Sequence, residues 1–290
     1  MENRIFIPGS EWVYFKIYTG TKTADSILKN ELFGYVREML GKDIIDKWFF
    51  IRYSDPDFHL RLRLHLKSTR DFNSIFSRFF EIFYPIVDNG FIWSIQCETY
   101  RREMERYGGN SISHVEELFF MDSEFVINLL HHLSGDNQEH QRWKLALLMI
   151  DNLLSVFSYD LLKRKELLIT ISESYKKEFG FTYHDVSKQL NYKYRIYRKE
   201  IENAVFSGTE FSKTNEIFQV YKLTISPVVK LIIDMDKSGD LPVALDKLVT
   251  SIIHMSMNRW FRSRNRLNEL VIYSFLSKYY SSKYAKLIHN

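Results

Sequence analysis

The sequence predicts an α+β protein with a ferredoxin-like β-α-β-β-α-β N-terminal part and a larger all-helical C-terminal part. Three observations predict it. HLRLRLHLK (59–67) alternates Leu60, Leu62, Leu64 and Leu66 with His59, Arg61, Arg63, His65 and Lys67, the period of a strand with one apolar and one polar face. Strand and helix patterns alternate through the first hundred residues. After residue 110 only helical periodicity is left.

Taken in order, WVYFKIYT (12–19) reads as a strand, and residues 24–41 as a helix whose apolar positions are Ile27, Leu28, Leu32, Val36 and Leu40. WFFIRY (48–53) is a second strand, SDPDF a turn, and residues 59–67 the third strand. Ser68 or Thr69 can cap a helix through FNSIFSRFFEIFYPIV, and FIWSIQCETY (91–100) closes the series as a strand. In a ferredoxin-like order the third strand is central, which puts the cationic face of 59–67 mid-sheet, opposite the helices. Helices are then expected at 113–133, 143–162, 182–206, 214–234, 242–261 and 265–288, with breaks at GDNQ (135–138), SGTEFS (207–212) and KSGDLP (237–242). The whole reads as one domain, 1–290, with a sheet portion at 1–110 and a helical portion at 111–290.

Composition narrows the function classes. With 45% hydrophobic and 26% charged residues the chain is ordinary globular protein, and a net charge of +4 is too small to indicate a nucleic-acid binder. The single cysteine, Cys97, excludes an internal disulfide and a Cys-based zinc site, and reads as a buried thiol on a strand. There is no Gly-rich phosphate loop, HExxH or GxSxG, so no metal or cofactor is expected. MENRIFIPGSEWVYFK lacks the apolar core of a signal peptide, and no run of about 18 apolar residues exists to span a membrane. A cytoplasmic protein is expected, peripheral to a membrane only through a biosynthetic complex.

Four places could carry chemistry. Arg61 and Arg63 share a strand face about 7 Å apart, from a rise of ~3.3 Å per residue, which suits two side chains converging on one carboxylate or phosphate. ETYRRE (98–103) puts Glu98 and Arg101 at the end of the last strand. IHMSMNRWF (253–261) places His254, Asn258 and Arg259 on an otherwise apolar helix, and FIRYSDPDFHLRLR adds Arg52, Asp55 and Asp57 around a turn. Together they imply an anionic substrate and proton transfer near neutral pH. A basic aromatic cluster, Tyr192, Tyr194, Arg195, Tyr197, Arg198 and Lys199, reads as a helix face with snorkelling side chains or as a surface for a peptide or an acidic partner.

With WFFIRYSDPDFHLRLRL, then ETYRRE followed by RYGG, and a late HMSMNR, the chain resembles the C-terminal elimination domain of class I lanthipeptide dehydratases. The same module occurs free-standing in thiopeptide-type bacteriocin biosynthesis. The resemblance runs over essentially the whole chain from WVYFKIYTG, without the glutamylation domain of the family's larger members. A stand-alone partner of a split enzyme, or an excised domain, is therefore expected.

The resemblance implies a lyase that removes glutamate from glutamylated Ser and Thr of a ribosomal precursor peptide, giving dehydroalanine and dehydrobutyrine. Hydroxide leaves with a conjugate acid of pKa ~15.7. A carboxylate leaves with one of ~3.5, so esterification makes the elimination feasible. By the same resemblance Arg61, Arg63, Glu98, Arg101 and His254 act in elimination and converge on one cavity. Charge complementarity assigns Arg61 and Arg63 to the glutamyl carboxylate, and Arg101 to the departing carboxylate or the enolate. Glu98 falls to the ammonium or to orienting Arg101, and His254 to the base. The implied partners are the glutamylated peptide, a separate glutamylation subunit dependent on glutamyl-tRNA, and a cyclase and transporter complex, with no direct nucleic-acid contact. Two alternatives stand beside this one: a pyridine synthase-like cycloaddition enzyme of thiopeptide biosynthesis, and a non-catalytic module that binds the precursor peptide.

Overall fold

The computed structural model describes residues 3–133, 137–179, 183–207 and 212–289. It is α+β, and it divides into two compact units: Met1–His131 with Asp234–Ser251, and His132–Ile233 with Ile252–Asn290. The segments 111–131 and 234–251 thus cluster with the sheet, beyond the expected sheet portion at 1–110.

The first unit holds a four-stranded antiparallel sheet of β2 (Trp12–Thr19), β3 (Ile45–Ser54), β4 (Phe58–Leu66) and β5 (Ile92–Cys97), in the order β3-β4-β2-β5. The alternation of residues 59–67 does what it predicts. Leu60, Leu62, Leu64 and Leu66 are all buried, each contributing roughly 1.5–3 kcal/mol relative to exposure. Their face packs on helices. Phe15 of β2 stacks on Phe79, 4.1 Å between centroids, and Phe79 on Phe83, both from α3 (Phe72–Asp88). Ser68 caps the turn before α3, its hydroxyl accepting from the Arg70 amide at 3.3 Å. The first helical segment is α1 (Thr21–Ile27), which continues through a π turn, Leu28–Leu32, into α2 (Phe33–Gly41).

The expected last strand, 91–100, is broken. After β5 the chain leaves the sheet, and β6 (Tyr100–Arg101) forms a separate antiparallel ribbon with β1 (Ile5–Phe6), which the alternation of longer strands did not reveal. Cys97 lies on β5 as expected, but it is exposed rather than buried, because β5 is the edge strand of the sheet. α4 (Met104–Tyr107) and α5 (Ile112–His132) complete this part of the chain. Gly108 of RYGG joins them at φ +81°, and a Cβ there would lie 2.5 Å from Pro242 Cγ and 2.6 Å from Ser111 Oγ. Only glycine fits both the backbone and the space.

The second unit is helical: α6 (Gln138–Val156), α7 (Leu161–Glu178), α8 (Tyr183–Glu202), α9 (Ser212–Ser238), α10 (Leu245–Trp260) and α11 (Asn265–His289). The division between units falls within α9 and α10. The helix expected over 143–162 stops at Val156. Ser158 takes φ +61°, and the Asp160 carboxylate accepts from the Lys163 amide at 2.8 Å, capping α7. The break at KSGDLP is present, with Gly239 at φ +80°. The breaks expected at GDNQ and SGTEFS lie largely outside the described residues. On α8, Tyr197 packs edge-on against Trp143, and Arg198 pairs with Glu202 of its own helix.

Candidate active site

On β4 the polar face changes character along its length. At one end His65 meets the Asp46 carboxylate at 2.7 Å and Lys67 pairs with Asp43. In the middle, Arg61 and Arg63 form no ion pair among the described residues. Arg63 is held by aromatic rings instead. Its Cζ is 4.6 Å from the ring centroid of Tyr14, 4.7 Å from that of Tyr100 and 5.3 Å from that of Phe49. The register explains the first and third walls, since Tyr14 and Phe49 are the strand partners of Arg63 on β2 and β3. Its Nε is buried without a hydrogen-bond acceptor. Cation–π contact supplies roughly 0.5–2 kcal/mol per ring but no acceptor, so the guanidinium keeps its capacity for an anion.

Arg61 stacks on Tyr53, 3.4 Å from Cζ to the centroid, and its Nε donates to His59 Nε2 at 3.1 Å. Arg52, also in this stretch, lies on the opposite face in register with Leu60, where it is buried and paired with Asp25 at 2.6 Å.

Glu98, in the break between β5 and β6, pairs with Lys16 Nζ at 2.8 Å, and not with Arg101. Lys16 stands beside Arg61 in the β2–β4 register, so Glu98 neutralises part of the cationic face. Arg101 is exposed and forms no ion pair among the described residues. The next residue, Arg102, turns inward. It makes a two-pronged pair with the fully buried Glu116 of α5, Nε to Oε1 at 2.7 Å and Nη2 to Oε2 at 2.6 Å. The Tyr100 hydroxyl donates to the same Oε1 at 2.7 Å. Burial and the adjacent carboxylate raise the Tyr100 pKa well above its ordinary value, so it is a fixed wall of the Arg63 cage and not a base at neutral pH.

His254 sits on α10 with its side chain about one-fifth exposed (21%). Its Nδ1 lies 2.8 Å from Glu269 Oε1 on α11. A carboxylate only accepts, so Nδ1 carries a proton, and in the neutral ring Nε2 is the nitrogen with the lone pair. Glu269 is itself fully buried and braced. The hydroxyls of Tyr175 (α7) and Tyr273 (α11) both donate to its Oε1 at 2.9 Å, and Arg266 pairs with Glu178 and donates to Tyr175. Burial followed by the Glu269 charge raises the pKa of Tyr175 and Tyr273, which stay protonated as donors. On the same helix, the backbone carbonyl of Asn258 accepts from the Asn265 side chain at 3.2 Å, and Arg259 is buried.

Of the expected residues, Arg61, Arg63, Glu98 and Arg101 belong to the sheet unit and His254 to the helical unit. The sequence reading missed Glu269, Glu116 and Arg102, and passed over α7 with Tyr175. A signal existed for the two glutamates. Each occupies a core register of its helix: Glu116 follows Ile112 by four and precedes Phe119 by three, and Glu269 precedes Tyr273 by four.

Residues 12–280 match the family described as lantibiotic biosynthesis dehydratase C-term, and the chain belongs to that family. Over 293 residues it is 25% identical to nisin biosynthesis protein NisB of Lactococcus lactis subsp. lactis, covering 99% of this chain and 27% of that protein. The chain thus spans about a quarter of the length of this curated relative. Among solved structures it is similar to the tRNA-dependent lantibiotic dehydratase MibB from Microbispora sp. 107891, with a TM-score of 0.68, 17% identity, and 94% of this chain and 28% of that one covered. It is also similar to the pyridine synthase TbtD from thiomuracin biosynthesis, with a TM-score of 0.67, 12% identity, and 94% and 99% covered. At these identities the structural matches concern the fold alone.

Proposed function

We propose that this chain is the elimination component of a lantibiotic dehydratase: a lyase that expels glutamate from glutamylated Ser or Thr of a precursor peptide. The observation that carries this is the imidazole of His254, tied at Nδ1 to a buried carboxylate, with no partner for Nε2 among the described residues. In the reaction Nε2 takes the Cα proton, the Cα=Cβ bond forms, and the Cβ–O bond breaks with glutamate leaving as a carboxylate. Glu269 holds the productive tautomer and stabilises the imidazolium that results, as acids behind catalytic histidines do. Arg61 and Arg63, which have no carboxylate of their own, take the side-chain carboxylate of the glutamyl group. Glu98 and Lys16 form a charge pair at the edge of this face, where Glu98 receives the glutamyl ammonium. Arg101, exposed on β6, answers the departing carboxylate or the enolate.

The peptide arrives already glutamylated by a glutamyl-tRNA-dependent component, and a cyclase and transporter complex follows. The setting is cytoplasmic; among the described residues no helix is long and apolar enough to cross a membrane. The two units act as one elimination domain, and we read the connectivity and strand order of the sheet as ferredoxin-like. The test is to incubate the chain with a peptide glutamylated at Ser and follow its mass. Loss of one glutamate per modified residue, leaving an alkene, is expected. An unchanged peptide that nonetheless binds would favour a peptide-binding module, and a pyridine product from dehydroalanines would favour a cycloaddition enzyme.

A further inference from the structure

His59 is the most buried member of the cationic strip, with no exposed surface, although it neighbours two cations. Its two ring nitrogens have distinct partners. Nδ1 lies 2.8 Å from the Asp57 carbonyl oxygen, which can only accept, so Nδ1 carries a proton. Nε2 lies 3.1 Å from Arg61 Nε, which can only donate, so Nε2 must be bare. The two bonds together are compatible only with a neutral imidazole protonated at Nδ1. The ring is clamped between Tyr18 (4.7 Å between centroids) and Tyr53 (5.6 Å), and Tyr53 also carries the Arg61 guanidinium on its face. Arg61 therefore spends its Nε on His59 and its flat face on Tyr53, and its two terminal nitrogens, which have no partner among the described residues, are left for a ligand.

We propose that His59 is a positioning residue: a neutral acceptor that aims the Arg61 guanidinium at the glutamyl carboxylate and releases it when protonated. This rests on the reading of Arg61 as the carboxylate clamp. A second proton on Nε2 would set two N–H groups head to head and add a charge beside Arg61 and Lys16. The charged and titratable groups facing His59 are Arg61 on its own strand, Lys16 and Tyr18 from β2, Tyr53 from β3, and Glu98 beyond β5. The first two oppose protonation and Glu98 favours it. Burial, the largest influence, holds the His59 pKa below its ordinary value, so the clamp stays set at neutral pH and loosens in acid.

The test compares wild type with His59→Phe, which keeps a ring without an acceptor, and His59→Gln, whose amide oxygen can accept from Arg61 without titrating. Steady-state elimination from glutamylated peptide is measured from pH 5 to 8. Phe should raise KM about 10- to 100-fold with kcat within about threefold, the size of a lost charge-assisted hydrogen bond. Gln should recover most of that loss and keep KM level in acid, where the KM of wild type rises; the fall of kcat in acid, which belongs to the proposed base His254, should be the same in both. A KM in His59→Phe equal to wild type, or a rise of KM in acid kept in His59→Gln, overturns the proposal. If wild type itself releases no glutamate, the functional reading fails instead. The proton on Nδ1 is then still checked by ¹⁵N NMR of His59, where a protonated Nε2 at pH 7 contradicts the proposal whatever the reaction and whether or not the Phe variant folds.

Discussion

The two units treat their functional charges in opposite ways. In the helical unit, His254 is bound to a carboxylate the chain supplies, and that carboxylate has two tyrosine donors of its own. In the sheet unit, Arg63 is surrounded by three aromatic rings and Arg61 rests on a fourth ring and a neutral histidine. In the proposed roles, a base must be ready before substrate arrives, which accounts for a built-in orienting anion at His254. A substrate clamp that carried its own anion would have to break an ion pair to bind another, so its anion is left out.

The contrast is broken most severely at the base. His254→Ala should slow single-turnover elimination about 10²- to 10⁴-fold while the peptide still binds. Glu269→Gln should approach that loss, because an amide donating to Nδ1 would move the proton to Nε2. If Glu269→Gln kept the wild-type rate, the built-in anion would have no catalytic role.

Next in size is a stability effect that separates paired from unpaired arginines. Arg102→Ala leaves Glu116 buried and uncompensated and should cost about 3–5 kcal/mol in urea unfolding. Arg63→Met, which removes a guanidinium with no anion to strand, should cost much less. Equal losses would mean that the Arg63 cage is structural. In activity the order reverses: Arg63→Met should raise KM for the glutamylated peptide roughly 10- to 100-fold, with partial recovery at saturating peptide.

The legibility of the sequence follows the same contrast. The proposed clamp was legible because strand alternation sets its residues in one line: four leucines buried on one side, His59, Arg61, Arg63 and His65 on the other. The aromatic walls were partly readable, since Tyr14 and Phe49 come from neighbouring strands whose register needs the folded sheet. The proposed base, His254, stood out as a lone histidine on an apolar helix. Its partner Glu269 did not, because the pairing joins two helices across a loop. A charge at a core helical register was the overlooked sign, at Glu269 and again at Glu116. Arg101 and Arg102 show a finer limit. Arg101 ends the two-residue strand β6 and Arg102 follows it, and in the extended backbone it is Tyr100 and Arg102, two apart, that both reach Glu116 while Arg101 between them stays exposed.

Gly108→Ala tests the RYGG turn beside this ribbon. Strain at positive φ and a collision with Pro242 and Ser111 should destabilise the protein by roughly 1–3 kcal/mol, read as a lowered Tm. The smallest effect expected is electrostatic. Because the folded state depresses the His59 pKa, its neutral form contributes stability that is complete above the unfolded value of ~6.5 and is lost as pH falls toward the folded value. Between pH 7.5 and 5, wild type should therefore lose more stability than His59→Gln. An equal loss would show that His59 titrates as it does in the unfolded chain.

The central claim, that the built-in base takes the Cα proton of a glutamylated residue, is tested most directly by isotope. A peptide glutamylated at a serine bearing deuterium on Cα should lose glutamate severalfold more slowly than its protium counterpart in single turnover. Its product should be the alkene, and His254→Ala should leave both peptides glutamylated over the same interval. Elimination by His254→Ala at the wild-type rate, with the isotope effect intact, would contradict the account and assign the proton to another group.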